Sequence, residues 1–229
     1  MNRLQQWGIA WGVALIAIVV CYAAIDRPLA LLLHAELAPF QDFFFYLTLI
    51  PTPFSLIAIL ILVALALRWM MGWPFSRPYA VAQLLAVSFF ITVAAKDFFK
   101  FSFGRTWPET WFRDNPSFIR DGVYGFNPFH GGKGWAAFPS GHMAAICVTM
   151  TVLWICYPRL RAVYALMIAV VTIGLMGANY HFLSDVIAGG LLGASIGYFT
   201  LALWEARVYQ RVRSEPARFR KRSKKGRRK

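Results

Sequence analysis

PSGHMAAICVTMTVLWICYPRLRAVYALMIAVVTIGLMGANYHFLSD, residues Pro139 to Asp185, contains two apolar runs, Met143 to Tyr157 and Ala162 to Tyr180, parted only by Pro158-Arg159-Leu160-Arg161. Runs of this kind suit helices that cross a bilayer, which need roughly 20 mostly apolar residues. One helix out, a short basic connection and one helix back bring both ends of the stretch to the same membrane face. Those ends carry Ser140-Gly141-His142 and His181, with Asp185 four residues further on.

The rest of the chain follows the same pattern. Hydrophobic residues make up 59% of its 229 residues and charged residues only 15%, the composition of an all-α polytopic membrane protein with no room for a separate soluble domain. Six spans are expected: Gly8 to Ile25, Phe54 to Met71, Tyr79 to Phe99, His142 to Tyr157, Ala162 to Tyr180 and Val186 to Trp204. The first is longer than a signal-peptide core and lacks a small-x-small cleavage site, so it reads as a retained helix. Phe40 to Ile50 is apolar but too short to span, and ends at Pro51-Thr52-Pro53; it is expected at the interface or folded back on the bundle. Gly189, Gly193 and Gly197 form a small-xxx-small stripe, read here as packing within the bundle, with dimerisation the other use of such a stripe.

The formal net charge is +14, but twelve of the 24 Lys and Arg residues lie between Arg207 and Lys229. This divides the chain into a membrane domain, 1–206, and a basic tail, 207–229, too polar to bury a core of its own and expected to be disordered. Near an anionic leaflet each such charge contributes about 1 kcal/mol, so the tail suits the inner membrane surface. No aromatic interleaving or motif points to nucleic acid. Arg3, Arg68, Arg77, Arg159, Arg161 and the tail all fall on one side of a six-span chain, which the positive-inside rule makes the cytoplasm. Both termini are then cytoplasmic, and Gly104 to Pro139, with His181 and Asp185, face the periplasm or exterior of a cytoplasmic (inner) membrane. Cys21, Cys147 and Cys156 sit inside apolar runs without metal-type spacing and read as small core residues.

The polar residues on that outer face suggest chemistry on an anion. Ser140 and Gly141 stand at a helix start, where unpaired amides and the helix dipole favour negative charge, and His142 beside them could give a proton to a departing oxygen. His181 and Asp185, spaced i, i+4, allow the carboxylate to hold one imidazole nitrogen and leave the other free as a nucleophile. Lys100 and Arg105 close the third span. The loop Glu109 to Ala137 adds Arg113, Arg120, His130 and Lys133, and Lys96 lies one turn before Lys100. The aromatic residues in and beside this loop, among them Trp107, Trp111, Phe112 and Trp135, suit either a lid at headgroup depth or an interfacial belt. His34 reads as an interfacial histidine away from these motifs.

Across Tyr79 to Trp204 the chain resembles the type 2 phosphatidic acid phosphatase superfamily. Pro139-Ser140-Gly141-His142 matches its second signature in full, His181 and Asp185 match the third, and Lys100 and Pro108 match the first. The resemblance implies a membrane lipid phosphatase that needs no metal or other cofactor. His181 would attack phosphorus to form a phosphohistidine, Asp185 would orient it, and His142 would protonate the leaving oxygen. Lys100, Arg105, Ser140 and Gly141 would hold the phosphoryl oxygens. The substrate would be a phosphorylated membrane lipid: phosphatidic acid, phosphatidylglycerophosphate, undecaprenyl diphosphate or a lipid A type. A phosphotransferase using the same intermediate and a non-catalytic lipid-binding relative are the alternatives. Two departures stand out: Trp107 and Leu175 occupy positions where the family carries arginines. Losing one preorganised charge donor of this kind typically costs about 10² to 10³ in turnover, so Lys96, Arg113, Arg120, His130 and Lys133 are the candidate substitutes.

Overall fold

A computed structural model describes residues 3–74, 76–112 and 114–214. The described chain is all-helical: α1 (Arg3–Val20), α2 (Asp26–Leu37), α3 (Gln41–Thr48), α4 (Phe54–Met70), α5 (Arg77–Phe103), a single turn α6 (Phe118–Asp121), α7 (Gly141–Cys156), α8 (Arg161–Gly177) and α9 (Leu183–Ser214). Four helical runs are long and apolar enough to cross a membrane: Leu4–Thr48, Arg77–Phe103, Pro158–Gly177 and Leu183–Glu205. The other two expected spans appear as shorter apolar helices, Phe54–Met70 and Gly141–Cys156. At 1.5 Å per residue, these cover less than the roughly 30 Å hydrocarbon core.

The first run does not stop at Ile25 as the sequence suggested. A π turn, Cys21–Ile25, joins α1 to α2 without a break in helicity. The wider turn lies just ahead of Pro28, whose missing N–H and bulky ring strain an ordinary α ladder. A 3₁₀ turn at Ala38–Phe40, containing Pro39, then redirects the chain into α3. The short apolar segment therefore folds back on the bundle, where α3 packs against α8. A side chain at Gly174 or Gly177 would collide with Leu47 or Phe44 of α3.

At the centre α7 lies against α9, flanked by α5, while α4 packs on α5 and α1 on α9. The glycine stripe of α9 works within the bundle: a Cβ at Gly189 would lie 2.4 Å from the Ser140 carbonyl oxygen, and one at Gly193 2.2 Å from that of Ala144. With backbones this close, Ala144, Ile146, Val148 and Val152 lose all contact with the exterior. By contrast α1 turns Val13, Ile16 and Val19 outward, the arrangement of a helix whose outer face meets lipid tails. The helix of α9 runs on through Arg207 to Ser214. The remainder of the basic tail, Glu215 to Lys229, lies outside the described residues.

The α7–α9 contact yields a direct test. Gly193→Ala should lower the thermal midpoint of the detergent-solubilised protein by several degrees, since overpacking of this sort costs about 1–3 kcal/mol. Gly12→Ala, with nothing within 4 Å of the added methyl, should leave the midpoint unchanged or raise it.

Candidate active site

Helix α5 ends in a left-handed residue, Gly104 (φ 57°), where any side chain would run into the backbone of Asn127. This sharp stop sends Arg105 into the protein interior. Its side chain is wholly buried. One terminal nitrogen donates to Asp185 Oδ1 and Ser184 Oγ, both at 2.5 Å; the other donates to Asp26 Oδ2 at 2.7 Å and Tyr124 Oη at 3.1 Å. The Phe182 ring centre lies 4.5 Å from the guanidinium carbon. Burial works against the charge, but the Asp185 and Asp26 carboxylates raise the Arg105 guanidinium above its usual value. Arg105 is thus spent on holding three segments together, and it does not line the cavity where the resemblance would put it against phosphate.

The network fixes Asp185. Its Oδ1 takes Arg105, while its Oδ2 accepts the Phe182 amide at 3.0 Å and faces His181 Nδ1 at 3.4 Å. A proton on Nδ1 donating to this carboxylate leaves Nε2 with its lone pair free. His181 is 1% exposed. Burial lowers its imidazole below the usual 6.5 even though the Asp185 carboxylate works the other way, so the ring is neutral at pH 7.

His181 borders a cavity of about 440 Å³ that also takes in Lys96, Lys100, Lys133, Gly141 and His142. Residues far apart in the chain, from the end of α5, the start of α7 and the α8–α9 turn, converge there. The absent side chain at Gly141 makes room for the lysine stems, since a Cβ would lie 3.3 Å from Lys96 Cδ and 3.8 Å from Lys100 Cε. Ser140 does not reach for the cavity: its hydroxyl caps α7 by accepting from the Met143 amide, and its own amide donates to the Asp185 carbonyl at 3.0 Å. The amides of Gly141 and His142 are the first in α7 without a carbonyl acceptor among the described residues, so the unpaired donors of this helix start begin at Gly141.

The candidate substitutes separate cleanly. Lys96 and Lys133 line the cavity. Arg120 lies on the loop surface, bound to Asp114 and Asp121, and His130 packs on Trp135 with ring centroids 4.2 Å apart and the planes tilted by 36°. Arg113 lies outside the described residues. Trp107 forms part of the cavity wall, its ring centroid 4.9 Å from that of His181. Leu175 lies in the apolar core, fully buried.

Sequence reading missed the acidic partners. Asp26, the residue after the expected first span, is 1% exposed and accepts from both Arg105 and Ser184. Its position directly after a long apolar run was the one available signal. His34 is not isolated: its Nδ1 lies 2.7 Å from Glu109 Oε1, which also accepts from Gln41 and from Asn179, two residues before His181.

A sequence model described as the PAP2 superfamily matches residues 81–209, more than half of the chain. No curated protein and no solved structure matches it.

The buried network predicts an asymmetry. Arg105→Met would strand two carboxylates in the interior and should cost about 3–5 kcal/mol, read as loss of folded protein or a sharp fall in thermal midpoint. Asp26→Asn leaves Arg105 paired with Asp185 and should cost less, about 1–3 kcal/mol.

Proposed function

This chain belongs to the PAP2 superfamily, and from that membership and the geometry of the cavity we propose that it is an integral membrane lipid phosphatase working through a phosphohistidine. Members of the superfamily are generally phosphatases. The observation that carries the reading is the convergence of His142, His181, Lys100 and Gly141 on one cavity. In the proposed reaction Nε2 of neutral His181 attacks phosphorus, and the bond from phosphorus to the lipid oxygen breaks as His142 gives that oxygen a proton. Water then attacks the phosphohistidine, returning Nε2 and releasing inorganic phosphate, with His142 now accepting the proton.

Asp185 keeps His181 in the tautomer whose lone pair faces the cavity, and Arg105 acts one step behind as a positioning residue for Asp185. Lys100 and the Gly141 and His142 amides supply positive charge where the phosphoryl oxygens gather negative charge. Lys100 already donates to the Ala136 carbonyl, a bond a phosphate oxygen would compete for. No metal enters this scheme.

In the proposed topology all six apolar helices cross the membrane, the two shorter ones included. The basic ends at Arg68, Arg77, Arg159 and Arg161 face the cytoplasm, with the cavity on the periplasmic or outer side of the inner membrane. Residues 1–206 form the enzyme and 207–229 a basic cytoplasmic extension. The substrate is a lipid phosphate ester or diphosphate whose headgroup reaches the cavity from the outer leaflet.

Purified protein should release inorganic phosphate from at least one of phosphatidic acid, phosphatidylglycerophosphate and undecaprenyl diphosphate, in the presence of EDTA. His142→Ala should lower kcat by about 10² to 10⁴, and His181→Ala should reduce it to background. Full activity in His181→Ala would sink the mechanism, and phosphate passed to a second lipid in place of water would make the enzyme a transferase. Because protonation of His181 removes the nucleophile and its burial lowers the imidazole below 6.5, more than half of the protein should keep its nucleophile at pH 6.5. The acidic limb of kcat/KM that belongs to His181 should lie below that value.

A further inference from the structure

The three lysines around the cavity are not equivalent. Lys96 Nζ lies 2.5 Å from Asp97 Oδ1, so its charge is already matched. Lys100 is held by the Ala136 carbonyl. Lys133 makes no ion pair among the described residues, and it is exposed at the cavity rim.

The backbone beneath Lys133, by contrast, is firmly held. Trp107, 4% exposed, donates its indole N–H to the Lys133 carbonyl at 2.8 Å. The Ala137 amide donates to the Arg105 carbonyl at 3.1 Å. On the far side, a Cβ at Gly134 would already press on Pro116 Cδ at 3.1 Å. Residues 105–107 thus clamp a short strap, residues 133–137, beside the cavity. The strap delivers two groups to it: the Ala136 carbonyl that engages Lys100, and the Lys133 side chain.

Trp107 stands where the resemblance expects an arginine, and its ring lies against His181 with Lys100 Nζ 5.6 Å from its centre. An arginine there would bring charge on its own side chain; the indole holds in place a neighbouring backbone that brings the Lys133 charge to the cavity. We propose that Lys133 grips the phosphoryl oxygens in this enzyme and that Trp107 is the positioning residue that carries Lys133 to them. A lysine suits this place because its ammonium is a compact charge on a flexible stem, able to follow a phosphate from the rim inward. The inference rests on the reading of the cavity as a phosphoryl site.

The test pairs binding of inorganic phosphate to the purified full-length protein, followed by tryptophan fluorescence, with kinetics on whichever lipid phosphate it hydrolyses. Lys133→Gln should weaken phosphate binding and raise KM, each by roughly 10- to 100-fold, the range expected for one charge-assisted hydrogen bond. Its kcat should change less, and Lys133→Arg should recover most of the loss. Trp107→Phe keeps an aromatic ring and removes the N–H, so it should reproduce the KM rise of Lys133→Gln, and the double variant should be no worse than either single one. Phosphate binding and KM within twofold of the parent in Lys133→Gln would overturn the assignment of Lys133. Multiplying effects in the double variant would overturn the role given to Trp107. Activity surviving in His181→Ala would instead remove the phosphohistidine reading, and the phosphate-binding arm would still judge Lys133 on its own.

Discussion

A single guanidinium without exposed surface, Arg105, lies between the carboxylates of Asp26 and Asp185, and the geometry of the cavity depends on it. Two negative charges and one positive in an apolar interior are stable only where desolvation is offset by short, well-directed bonds. Four donor contacts from the two terminal nitrogens, two of them at 2.5 Å, meet that condition. They join the start of α2, the loop after α5 and the start of α9. Little could shift in any of the three without leaving a charge unmatched.

Asp185 transmits this rigidity to the cavity. With one oxygen on Arg105 and the other shared by the Phe182 amide and His181, the carboxylate has a single usable orientation, and the imidazole inherits it. The Asp185 backbone carbonyl meanwhile takes the Ser140 amide, so the start of α7 is tied to the start of α9 at the same point. The close approach of α7 and α9 along Gly189 and Gly193 then sets His142 and His181 on the rim of one space. Packing and polar pairing serve a single geometry: the glycines bring the helices together, and the ion network fixes their ends.

The loop between α5 and α7 has little regular structure, and its order comes from specific anchors. Glu109 ties it to His34, Gln41 and Asn179. Tyr124 donates to the Tyr22 carbonyl at 2.6 Å, and Trp107 binds the Lys133 carbonyl. Its aromatic residues pack inward on Tyr180 and Phe182, and two of them, Trp107 and Phe112, form part of the cavity wall.

Much of this was legible in the residues. Long apolar runs and the small-residue stripe of α9 identify a helical membrane protein, because lipid leaves the backbone few ways to satisfy its polar groups. Ser140-Gly141-His142 and the i, i+4 pair His181 and Asp185 carry their local chemistry with them, since a helix start and a helical turn are defined by neighbours in the chain. The partner of Arg105 was not legible in the same way. Asp26 is 79 residues distant in sequence, and nothing in the residues around it names the cation it meets. Nor could the sequence tell which basic residue faces the cavity: for Lys96, Arg120, His130 and Lys133 that depends on where the folded chain leaves them. Short-range patterning determines which helices form and which groups they carry. The pairing of charges is set by three-dimensional proximity, because a Coulomb interaction depends on distance through space and on exclusion of water, and neither is written along the chain.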